Sequence, residues 1–120
     1  MSSIHRPLAG EPLLHRLGAD RSELIDAALL ARAGRSARTL VKEGPLRVTL
    51  IAIAPEGSIA SHRADGPITV HVLAGSIRFR AQGKEWELQP GDVLSLGAGI
   101  EHAVESPEGG EFLLTVAAGR

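Results

Sequence analysis

The chain has no cysteine, which excludes disulfides, thiolate metal sites and a cysteine nucleophile. Aromatic residues are nearly as scarce, with Trp86, Phe79 and Phe112 the whole set. The core must therefore be built from Leu, Ile, Val and Ala, and few rings remain on which single-stranded nucleic acid could stack. No charge of one sign dominates either. Lys and Arg number 13 against 14 Asp and Glu, for a formal net charge of −1. The cations form no basic stripe, so no nucleic-acid partner is expected. The longest apolar run in the first thirty residues is short and follows Asp26, so neither a secretory segment nor a spanning helix is read there. Together these absences predict a soluble cytoplasmic protein with no membrane partner.

What is present is an ordinary globular balance of 43% apolar and 22% charged residues over 120 positions. A chain of that length makes one domain and buries roughly two thirds of the surface its unfolded form exposes. Residues 1–19 mix Pro, Gly and isolated apolar side chains without a period, and are expected to form an arm that packs loosely or lies on a partner chain. Its histidines, His5 and His15, are read as surface residues. Residues 20–34 predict one helix of about three turns. Asp20 stands as N-cap with Glu23 completing a capping box, Leu24, Ala27, Ala28 and Ala31 recur at helical spacing, and Gly34 ends it.

From residue 35 to 120 the punctuation changes. Gly or Pro recurs at short intervals, and strand-like stretches lie between: SARTLVKE, LRVTLIAIA, ITVHVLA, SIRFRAQ, KEWELQ, DVLSL, EHAVES and EFLLTVA. The first two read as a hairpin turning at Gly44-Pro45. Period-2 alternation puts Leu46, Val48, Leu50, Ala52 and Ala54 on one face. Many short strands with no helical crossovers predict an all-β sandwich or barrel. In SIRFRAQ, Arg78 and Arg80 alternate with Ile77, Phe79 and Ala81, the pattern of a half-buried strand with a solvated face.

With thiols absent, the histidines are the natural candidates for metal or proton chemistry. GDVLSLGAGIEHAVES runs from Gly91 through Gly97 and Gly99 to His102 and Ser106. SHRADGPITVHVLAG, counted back from Gly75, puts Ile68, Ala64 and His62 at fixed intervals. These spacings resemble the two motifs of the cupin superfamily, and the separation between them is that of small single-domain RmlC-like members of the cupin_2 type. The likeness spans about residues 40–118. It implies a jelly-roll β-barrel (a double-stranded β-helix) with one N-terminal α-helix ahead of it.

The resemblance also says which ligands are missing. In the family, two histidines and a glutamate of the first motif meet the second-motif histidine on a metal. Here Ala64 stands at the second histidine and Ile68 at the glutamate, so the metal-ligand motif is degenerate and His62 and His102 alone match. Gly97 and Ser106 replace the family's usual Pro and Asn. Asp65, in the loop after His62, is the weaker candidate for a third ligand, while alternation turns Glu101 and Glu105 away from His102. His71 alternates with Val70 and Val72 and is expected on the opposite face of its strand. What the resemblance implies as cofactor is at most one divalent transition metal (Zn, Fe, Ni or Mn), and none is equally compatible.

The expected pocket is apolar, lined by Ala64, Ile68, Val70 and Val72, with His62 and His102 as its polar points. Two functions fit it. One is binding of a small organic ligand without an assigned reaction. The alternative is a metal-dependent cupin enzyme, of oxygenase or isomerase type, working with a reduced two-histidine site and with Asp65 or His71 assisting proton transfer. Barrels of this family commonly pair, so a homodimer is the expected assembly. Signatures of phosphate-binding loops, serine-hydrolase elbows and HExxH zinc helices are absent from the sequence.

Overall fold

The structure, a computed structural model, describes residues 8–18 and 21–118. From Arg35 onward the chain forms strands: β1 (Arg35–Glu43), β2 (Leu46–Ile53), β3 (Gly57–His62), β4 (Ile68–Gly75), β5 (Ile77–Ala81), β6 (Lys84–Leu88), β7 (Val93–Leu96), β8 (His102–Ser106) and β9 (Gly110–Ala117). They make two sheets with orders β1-β2-β9-β4-β7 and β3-β8-β5-β6. Every pairing is antiparallel. The sheets close on each other as a jelly roll, and their inner faces share one core built around Ile51, Val70, Val72, Phe79, Val104 and Phe112. Two of the three aromatic residues sit in that core, each at most 2% exposed, and aliphatic side chains fill the rest.

The first hairpin turns at Gly44-Pro45 as expected, with Glu43 opposite Leu46. The shared face of Leu46, Val48, Leu50 and Ala52 is the outer one: Ile51 and Ile53 point into the core cluster, while Leu50 and Ala52 are buried outside it. The N-terminal segment lies on that side. His15 donates Nε2–H to the Leu40 carbonyl at 3.2 Å, Leu8 O accepts from Lys42 N–H at 2.8 Å, and Arg21 pairs with Glu111, the register neighbour of Ala52. So the described part of the arm docks on its own barrel. His15 is half-buried there, not a free surface residue; His5 lies outside the described residues.

The helix is shorter than expected. A 3-10 turn at Arg21–Leu24 precedes α1 (Ala27–Ala33), and Asp26 separates them in an extended conformation. Its Oδ1 accepts from Leu29 N–H at 2.9 Å, as an N-cap does, while its own N–H donates to Ser36 Oγ at 3.2 Å. Asp26, anchored to β1 through Ser36, sets the boundary; Asp20 lies outside the described residues. Gly34 ends the helix in the left-handed region, its N–H bonded to Leu30 O at 2.9 Å.

One strand escapes sequence reading. β3 (GSIASH) has Ile59 as its single large apolar residue and is mostly exposed, so neither alternation nor burial marks it. It matters because it carries His62. At the far end of β4, Gly75 has φ of +69°, and a Cβ there would lie 2.2 Å from the Gly109 carbonyl oxygen. That close backbone approach is why the motif needs glycine where β4 leaves the sheet.

Candidate functional site

His62 closes β3 and His102 opens β8, and the two are register partners across that antiparallel pair. Their imidazoles meet edge to face, with ring centroids 4.4 Å apart and planes at 64°. Phe79, inward-facing on β5, lies nearly parallel to His102 with centroids 5.2 Å apart. Each histidine is held the same way. Nδ1–H of His62 donates to the Ala60 carbonyl at 2.9 Å, and Nδ1–H of His102 to the Ile100 carbonyl at 3.0 Å. His62 is exposed at the rim, whereas His102 is only 5% exposed. Burial lowers the His102 pKa below its ordinary 6.5; the Ile100 carbonyl pulls the other way, and His62 adds a smaller downward push.

Both rings border a cavity of about 140 Å³ inside the barrel. Its remaining walls are hydrocarbon: Ile51, Ile59, Val70, Phe79, Val104, Phe112 and Leu114. Of the four apolar residues expected around it, Val70 lines it. Ile68 and Val72 belong to the surrounding core, and Ala64 packs against that core without bordering the cavity. Alternation tells which residues of β4 point inward but not which stand level with the histidines. The other walls come from β2, β3, β5, β8 and β9, which the spacing of two motifs does not reach.

Asp65 is exposed in the loop between β3 and β4. Among the described residues no three His, Asp or Glu side chains converge as metal ligands. His71 is half-buried on the other side of β4, opposite Val93 and Leu113, away from the cavity. Glu101 accepts from Ser61 Oγ at 2.6 Å and pairs with Arg63 at 3.4 Å. Glu105 is bound at 2.7 Å by both Arg78 and Arg80. Ser106 stands at the family's Asn position, and the sequence assigned it no role. It is fully buried, and its Oγ donates to the Ser76 carbonyl at 2.6 Å.

Residues 49–117 match the cupin domain family. The chain belongs to the cupins. No curated protein matches it, but solved cupin structures do. A cupin 2 conserved barrel domain protein from Leptotrichia buccalis is 30% identical, with a TM-score of 0.66 over 69% of this chain and 40% of that one. A conserved protein of unknown function from Streptococcus pyogenes is 26% identical, with a TM-score of 0.67 over 72% of this chain and 75% of that one. A variant of salicylate 1,2-dioxygenase from Pseudoaminobacter salicylatoxidans is 14% identical, with a TM-score of 0.75 over 86% of this chain and 34% of that one; at that identity it speaks for the fold alone.

Cupins often hold a metal between their motifs, so the donor set here has to be weighed against one. Catalytic zinc is held by three protein ligands and non-haem iron by two histidines and a carboxylate. This cupin offers two imidazoles, with Ala64 and Ile68 at the other motif positions and no third donor converging among the described residues. The donors among the described residues do not fit a resident metal of either kind.

Proposed function

We propose that this cupin binds a small organic ligand in the barrel cavity, with His62 and His102 as its polar contacts. The observation that carries this reading is the placement of both imidazoles on the wall of one otherwise hydrocarbon cavity, each ring fixed through Nδ1. A preformed apolar pocket with few, oriented polar groups is the usual form of a small-molecule site. The metal-dependent enzyme remains the competing reading, supported by the family and weakened by the donor set. The cytoplasmic setting belongs to the proposal too; among the described residues no helix is long and apolar enough to cross a membrane.

Metal analysis of protein purified without an affinity tag separates the two readings. The ligand-binding reading expects well under one equivalent of transition metal and no thermal stabilisation by Zn, Fe, Ni or Mn. One equivalent, lost on combined His62→Ala and His102→Ala substitution, would replace it with the metal enzyme. We also infer a homodimer through the outer face of the five-stranded sheet, where Val93 is 61% exposed beside half-buried His71 and Leu113. Light scattering that gives 12.6 kDa at every concentration would end that inference.

A further inference from the structure

We propose that the cavity selects a neutral hydroxyl compound whose apolar body is no larger than a benzene ring, its O–H donating to Nε2 of His102. This rests on the cavity being a ligand site and adds the chemistry of what enters it. A carbonyl oxygen can only accept, so a ring nitrogen 2.9 or 3.0 Å from one must carry the proton. In a neutral imidazole the other nitrogen is then an acceptor. Both rings are fixed in that tautomer, which leaves two Nε2 lone pairs and no N–H to offer.

Neither Nε2 has a protein partner among the described residues. No sealed side-chain nitrogen or oxygen among them lacks a partner, so the Nε2 of nearly buried His102 reaches an accessible surface, and its ring borders both the cavity and an open groove beside Arg63 and Arg80. Apart from the two imidazoles, the walls of the cavity are hydrocarbon. A hydroxyl entering the cavity finds an acceptor in place of water. A carboxylate, ketone or ether oxygen finds no donor and loses its hydration uncompensated. Size sets the second limit. The cavity measures about 140 Å³, close to the roughly 150 Å³ of an engineered apolar cavity that takes up benzene. His62 stands at the exposed rim, where water can satisfy its Nε2.

The test uses the full chain with nitrogen-15 in its histidines, at about pH 8, above the ordinary imidazole range. Phenol, anisole, benzene and benzoate are the probes. Long-range proton–nitrogen spectra should show the Nδ1–H tautomer at both histidines. Phenol should bind at least about tenfold more tightly than anisole or benzoate and move the His102 Nε2 resonance. In His102→Phe the preference for phenol over anisole should fall to about one. If that variant does not fold, the tautomer and the phenol-to-anisole ratio of the unaltered protein still decide. An Nε2–H tautomer at His102, or anisole or benzoate bound as tightly as phenol, would overturn the donor rule and leave the ligand site standing. If none of the four probes, benzene included, perturbs the cavity-lining residues, both this proposal and the ligand-binding function fall.

Discussion

On the inner face of the four-stranded sheet, His102, Val104 and Ser106 alternate along β8, with Ile77, Phe79 and Ala81 beside them on β5. On its outer face the same two strands present Arg78, Arg80 and Glu105, joined by Glu85 and Glu87 of β6. Inside, polar groups are few, and the buried ones are each tied to one named backbone carbonyl: Ser106 to Ser76, His102 to Ile100. Outside, five charged side chains share partners in contact with water. A desolvated hydrogen bond is costly to break because nothing replaces it, whereas an exposed ion pair is replaced by hydration. One sheet thus separates groups that fix the site from groups that keep its back solvated.

Phe79→Ala should have the largest effect. The ring is 1% exposed, lines the cavity and stacks on His102. Its loss should destabilise the protein by about 3–5 kcal/mol, measured by urea denaturation. A cost below about 1 kcal/mol would mean that the inner face is loosely packed. Ser106→Ala comes next. It removes one hydroxyl from a fully buried position and strips the Ser76 carbonyl of that donor, at about 1–3 kcal/mol. Equal stability in the variant would show that the contact contributes nothing net.

How much of this was legible in the sequence follows from the same division. Gly and Pro punctuation and apolar alternation carried the all-β reading, because turns and pleats impose those patterns locally. The His62–His102 pair came from motif spacing, which encodes the β3–β8 register indirectly. β3 itself stayed hidden, since an exposed polar strand has no apolar face to betray it. In β2 both faces are apolar, Ile51 and Ile53 inward, Leu50 and Ala52 outward, so alternation alone could not say which one met the core. The cavity wall was out of reach for a different reason. It depends on depth along the barrel, and depth is set by how several strands line up, not by any one of them.

Burial disfavours the charged form of His102 and so holds its pKa in the folded protein below the ordinary 6.5. Between that folded value and about 6.5 the unfolded chain binds the proton and the folded one does not. Stability is therefore complete above about pH 6.5 and declines as the pH falls below it. Melting temperatures across pH 5 to 8 should show that slope, and His102→Gln should flatten it. An unchanged slope in the variant would assign the effect to other groups.

The smallest effect belongs to the outer face. Arg80 is half exposed and meets Glu85 at 3.2 Å and Glu105 at 2.7 Å, yet water replaces much of what either contact supplies. Arg80→Gln should cost between about 0 and 1 kcal/mol. That small loss should shrink further at about 1 M salt, where the Debye length is about 3 Å. Phe79→Ala should keep nearly its whole cost in the same salt, because cavity formation does not depend on screening. Measuring both variants at low and high salt therefore tests the two faces against each other. If Arg80→Gln cost more than about 2 kcal/mol, or if its cost were insensitive to salt, the outer ladder would be part of the structural frame of the site and the division between the faces would fail.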